Sequence, residues 1–203
     1  MAEKSFYNNK ADVYLRALNA EDIELLKRHC NARRVALELE GLAASNLDFL
    51  LQCGQLEELV IYGGKVGDYS ALGQLPKLKH IFMNGRLRRW QDSFEFLGDV
   101  VSLEKLQIMH YPLVSAFPNL EKCVKLESVE VRGCKRFEDI SNMLRIPHLK
   151  SVLITGGLLT VEDVKPLAQK TGLLALNVSF RNKKENDEFM RLLKRCGLAL
   201  WLE

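Results

Sequence analysis

Four histidines, five cysteines and one arginine-rich stretch are the side chains here with the most chemical potential. A thiol beside an imidazole can become a nucleophile, and His110 with Cys134 invites that reading. No third group that would orient the imidazole is evident. The sequence carries no phosphate loop, no HExxH and no GxSxG. Cys30, Cys53, Cys123, Cys134 and Cys196 are odd in number and scattered, with no CxxC and no metal-ligand spacing. No catalytic residue, metal site or cofactor is therefore assigned. Free, mostly core-facing thiols suit a reducing compartment, which places the protein in the cytoplasm as an expectation.

The arginine-rich stretch is Arg86-Leu-Arg88-Arg89-Trp90, and Lys135 with Arg136 and Arg181 with Lys183 and Lys184 recur at the same edge. Guanidinium groups beside an indole can grip phosphate or stack on bases. They can equally form a solvated rim that steers an acidic protein. A net charge of +3 is too small to argue for nucleic acid unaided, so RNA or phosphate binding through this edge stays an alternative. The N-terminal MAEKSFYNNKADVYL has no apolar leader, and the longest apolar run, at residues 151–159, is interrupted by two glycines. No signal peptide and no membrane span are expected.

What positions these side chains is a repeat. Six segments follow Leu-x-x-Leu-x-Leu with aliphatic or Met replacements, starting at Leu56, Leu78, Leu103, Leu126, Leu149 and Leu173. By subtraction the starts lie 22, 25, 23, 23 and 24 residues apart. A weaker copy is read upstream as Arg34-x-x-Leu37-x-Leu39. A glycine follows the segment at 41, 63, 85, 133 and 156, with His110 in its place in one unit. Each unit predicts a short strand with alternate residues pointing inward, a turn, and a return segment carrying residues such as Val66, Leu72 and Leu75. No unit can bury its apolar side alone; stacking the units makes one continuous core.

The chain resembles the leucine-rich repeat family, and within it the short internalin-like class with repeats of about 22 residues. Residues 64–78 and 137–144 carry the likeness, which spans roughly residues 32–179. The resemblance implies an α/β solenoid: a curved parallel sheet on the concave face and irregular or short helical returns on the convex face. It also implies a binding scaffold. The family's asparagine after the strand is missing, its positions reading Leu42, Gly64, Arg86, Tyr111, Cys134 and Gly157, so a looser ascending edge is expected.

Strand–helix caps are expected at both ends of what is read as one structural domain: tail and cap over 1–31, repeats over 32–179, closing cap over 180–203. The front helix should start at Asn19 and bury Ile23, Leu26 and Cys30. At the back, Phe189, Leu192, Leu193 and Cys196 repeat at helical spacing and Gly197 stops the helix. Leu198–Leu202 alternates as a closing strand with nothing expected beyond it. Residues 1–10 are expected to be loose.

Positions three, five and seven of each unit should face the concave side. This assigns Ala36, Glu38 and Glu40, then Glu58, Val60 and Tyr62, then His80, Phe82 and Asn84. Lys105, Gln107 and Met109 follow, then Ser128, Glu130 and Arg132. Tyr62, Phe82 and Met109, flanked by Val60, His80 and Arg132, predict exposed anchors for a folded protein partner, with Glu130 and Arg132 fixing charged register. The acidic end at Glu38, Glu40 and Glu58 favours a partner with a basic rim. An inhibitor, immunity or effector-type role fits such a module. A monomer is expected, with end-to-end stacking through the closing strand as the structural alternative.

Overall fold

The structure is a computed structural model that describes residues 11–16, 18–39, 43–86 and 91–200. Its strands are β1 (Val13–Leu15), β2 (Arg34–Glu38), β3 (Ala43–Ala44), β4 (Glu58–Tyr62), β5 (Lys65–Val66) and β6 (His80–Asn84). β7 (Lys105–Met109), β8 (Ser128–Arg132), β9 (Ser151–Thr155) and β10 (Ala175–Val178) complete the set. Eight of them form one parallel sheet in the order β1-β2-β4-β6-β7-β8-β9-β10, while β3 and β5 pair on the return side. Chain order and sheet order agree because each coil delivers its strand beside the last.

Five-residue strands occupy the third to seventh positions of the units beginning at Leu56, Leu78, Leu103, Leu126 and Leu149. The first, fourth and sixth positions point into a single core that runs from Val13 to Leu193. Register is unbroken even through the longest repeat, where His80 pairs with Lys105. The first unit needs correcting: Arg34 pairs with Glu58 and Leu37 with Ile61. Its phase is therefore Ala32-x-x-Val35-x-Leu37, two residues earlier than the sequence suggests. A shift of two preserves the face of every side chain, as the pleat has period two. It does move each residue by one row. Leu39, not Gly41, then follows the strand, and residues 40–42 lie outside the described part.

The missing asparagines do not loosen the ascending edge among the described residues. Backbone amides bridge the coils instead: Gly63 N donates to Asn84 O at 2.8 Å, Gly85 N to Met109 O at 2.9 Å, His110 N to Arg132 O at 2.8 Å and Gly133 N to Thr155 O at 2.8 Å. These bonds extend the strand ladder by one residue, satisfying groups that would be costly to leave unpaired. Gly63 and Gly133 adopt left-handed backbone (φ 60° and 65°), and His110 adopts it too (φ 57°) without a glycine's freedom. The His110 ring meets Asn84 Oδ1 at 3.3 Å from Nδ1.

Return segments are mostly five-residue 3-10 turns, as at Asp48–Gln52, Ser70–Gln74, Glu95–Asp99 and Ser141–Arg145. Among the described residues three α-helices are present: α1 (Ala20–Arg28), α2 (Val161–Ala168) and α3 (Lys183–Cys196). Asn19 caps α1 by accepting from Asp22 N at 2.9 Å, and Leu26 is its buried anchor. Cys30 lies past the helix end and is exposed, not in the seal expected of it. α2 is fixed by a reciprocal capping box between Thr160 and Asp163. α3 buries Phe189, Leu192 and Leu193 and ends at Gly197 in left-handed backbone. Beyond it Ala199 makes a single parallel bridge to Ala175; residues 201–203 lie outside the described part.

Candidate functional site

Strand register sorts the face opposite the core into three columns. One reads Arg34, Glu58, His80, Lys105, Ser128 and Ser151. The middle one reads Tyr14, Ala36, Val60, Phe82, Gln107, Glu130 and Leu153. The third reads Glu38, Tyr62, Asn84, Met109, Arg132 and Thr155. The sequence-derived set therefore lies on one continuous surface. Tyr14 is the member sequence reasoning missed. Its signal was available, because a residue between two inward ones, Val13 and Leu15, must face the other way.

Exposure departs from expectation. Tyr62 and Phe82 retain 2% and 4% of their surface, and with Ala36 and Val60 they form a second apolar cluster apart from the main core. Their rings meet edge-on, centroids 5.7 Å apart at 61°, an arrangement that adds about 0.5–1.5 kcal/mol beyond area burial. Met109 is half-buried and packs against the cluster, as do Ala11 and Tyr14. Gln107 and Glu130 are buried as well, at 6% and 3%. Gln107 Nε2 donates to Glu130 Oε2 at 2.7 Å, and the other Glu130 oxygen pairs with Arg132 Nε. A buried carboxylate demands such partners. Asn84 and Lys105 are half-buried and His80 is exposed.

The acidic end is not a free charge. Glu58 is held by Arg34 Nε at 2.8 Å. Glu38 accepts from the Tyr14 hydroxyl and pairs with Arg86 at 2.9 Å; Glu40 lies outside the described residues. The Tyr14 hydrogen bond, ahead of Arg86, holds the Glu38 carboxyl below its ordinary range despite partial burial. Burial, then Glu38, pushes the Tyr14 phenol up to about 12. Arg86 also lies over the Tyr62 ring, 5.2 Å from its centroid. It thus belongs to the concave network, whereas Arg88, Arg89 and Trp90 lie outside the described residues. At the strands' start edge a cleft of about 390 Å³ is walled by Arg33–Glu57, Arg34–Glu58 and Lys79, whose charges already face acidic partners.

Cys134 is buried, and burial pushes its thiol up to about 11, so it stays protonated. Its sulfur lies 3.7 Å from Arg132 O, while the His110 ring faces Asn84. Among the described residues no three His, Cys, Asp or Glu side chains gather as a metal site would require, and no helix is long and apolar enough to cross a membrane.

Compared by sequence, the chain matches no protein-family profile and no curated protein. Compared by structure, it is similar to an internalin (inlF) of Listeria monocytogenes, with a TM-score of 0.50 and 12% identity over 82% of this chain and 54% of that one. An internalin C2 of the same species follows, with a TM-score of 0.39 and 12% identity over 69% of this chain and 71% of that one. A leucine-rich repeat protein of Leptospira interrogans has a TM-score of 0.33 and 12% identity over 92% of this chain and 81% of that one. The chain spans about half the length of the first of these. With the strand order and the three-column face, the likeness identifies the fold as a leucine-rich repeat solenoid of internalin-like type.

Proposed function

We propose that this protein is a non-enzymatic interaction module that holds a folded protein partner on its concave face. The observation that carries the reading is the second apolar cluster. Ala36, Val60, Tyr62 and Phe82 gather as a buried apolar cluster on the side of the sheet turned away from the main core. Half-buried Met109, Asn84, Lys105 and Arg132, exposed His80 and the Arg34–Glu58 pair surround it, giving an apolar centre with a polar rim. An inhibitor, immunity or effector-type role fits a module of this kind. Five unbridged thiols favour a reducing compartment such as the cytoplasm.

The experiment is capture from native lysate by the immobilised full chain, comparing wild type with Met109→Asp and Arg132→Glu at low and moderate salt. A protein held by wild type and lost by both variants supports the concave site. Nucleic acid that ignores both substitutions and washes off with salt transfers the function to the arginine edge. Capture unchanged in both variants overturns the placement.

A further inference from the structure

The convex side of the last coils carries two patches of opposite charge, one on either side of α2. Between α2 and the Ser141–Arg145 turn runs a groove of about 200 Å³, with Ile140, Leu144, Pro166 and Leu167 along its floor and Glu138, Asp139 and Asp163 at its rim. Ile140 and Leu167 are buried, while Leu144 keeps 38% of its surface. Asp139 and Asp163 have local roles, accepting from Ser141 N and from Thr160 N, each at 2.8 Å. The Ser141 amide holds the Asp139 carboxyl below its ordinary range, so its charge persists. Glu138 is exposed, and its side chain has no partner among the described residues. Across α2 lies α3, joined to it where Val161 N donates to Glu185 Oε2 at 2.8 Å. Lys184, Arg191 and Arg195 follow at i, i+7 and i+11, one exposed stripe of α3 bordering that contact. Glu188 is the acid within the stripe, and none of the three cations is ion-paired among the described residues. Helix stability does not explain the stripe, since Lys184 stands in the first turn, where the macrodipole disfavours a cation.

We infer that a second copy of this chain docks here about a two-fold axis through α2, each copy's basic stripe lying along the other's acidic groove. Such symmetry requires a self-complementary surface, on which one patch meets the other and the reverse. The two patches satisfy that condition. α2 packs against the Ser141–Arg145 turn on one side and against α3 on the other, and each patch stands about one helix spacing, 8–10 Å, from it. An axis normal to this surface sets the two α2 helices antiparallel. The later turns of one α3, with Arg191 and Arg195, then approach the first turn of the other α2, with Asp163. An arginine has an apolar stem and a charged head, so Arg191 can cover Leu144 and Pro166 while its head reaches a rim carboxylate. At the axis Glu162 and Lys165, ion-paired at 3.2 Å within one chain, face the same pair of the other. Three short elements per copy make a small contact beside the about 800 Å² per partner usual in stable complexes, so association is weak and falls with salt. The concave faces lie across the core and stay open in the dimer, so partner binding and dimerisation are separate properties.

Sedimentation equilibrium of the full chain over a wide concentration range reads the dimer directly. The average mass should rise towards that of two chains and fall back as salt is raised. A mass that stays at one chain at every concentration overturns the inference. Charge reversal then locates the contact. Glu138→Arg and Arg191→Glu alter exposed side chains, and each alone should weaken the dimer by about tenfold or more, the scale of one close charge pair across an interface. Both reversals in one chain restore opposite charges and should return the dissociation constant to within about threefold of wild type. A folding defect would instead accumulate in the doubly reversed chain, and urea unfolding of all three variants reads it separately. A dimer indifferent to the single reversals, or one that the double reversal fails to restore, overturns the placement on the α2 face.

Discussion

Substituting Gly133 by alanine probes the fold where it is tightest. Gly133 sits at φ 65°, and a Cβ there would lie 2.5 Å from Cδ2 and 3.1 Å from Nε2 of His110. Left-handed backbone costs an L-residue about 1–2 kcal/mol. Displacing a packed ring adds about 1–3 kcal/mol, as overpacking does elsewhere. The ring cannot yield freely, because His110 is itself left-handed and its Nδ1 faces Asn84 Oδ1. Gly133→Ala should therefore destabilise the protein by about 2–5 kcal/mol, read by urea unfolding. In a His110→Gly background the steric part disappears and only about 1–2 kcal/mol of backbone cost should remain. The difference between backgrounds is the coupling energy of the pair. An equal cost in both would refute the argument that the ring, rather than the backbone angle, makes this position intolerant.

Thr160→Ala should cost about 1 kcal/mol by removing the capping box of α2, measured by the same unfolding curves. Thiol titration of the native protein should label exposed Cys30 first, and buried Cys134, its thiol raised to about 11, only on unfolding; early labelling of Cys134 would contradict its burial. Glu38 has a depressed carboxyl, so its contribution is present above the unfolded value of about 4.3 and lost as pH falls through the folded one. Tyr14 shifts the opposite way: its contribution is present below pH 10.0 and lost as pH rises towards about 12. Tyr14→Phe should therefore flatten melting temperature against pH at both extremes, and an unchanged acid limb would count against the Glu38 assignment.

Most of the fold was legible because a repeat writes the same constraint many times. Six units agreeing on period and phase place β4 and the strands from β6 to β10, while a single unit can slip. The Arg34 copy did slip, because Leu37 and Leu39 mimic two core positions and only pairing with Glu58 and Ile61 reveals the offset. α2 escaped notice because it is eight residues long and carries Pro166, which reads as a helix breaker. Cys30 obeys the helical period of Ile23 and Leu26, but α1 ends two residues before it. At the candidate site, period two tells which face a residue takes. It says nothing of how deeply neighbouring side chains bury one another on that face, so Tyr62 and Phe82 read as exposed. The pairing of Glu38 with Tyr14 and Arg86 depends on the strand order, which no local pattern contains.

The unbroken register also makes the concave face a kind of ruled paper. Each coil adds one line to the same three columns, so whole-repeat duplication or loss moves the pattern along the sheet by about 4.8 Å without changing any side chain's column. A one-residue insertion within a strand would instead turn the rest of that strand inside out. Evolution of specificity on this scaffold is therefore expected to proceed by whole coils and by point changes within a column. Length changes should collect in the return segments, where the 22- to 25-residue repeats already differ.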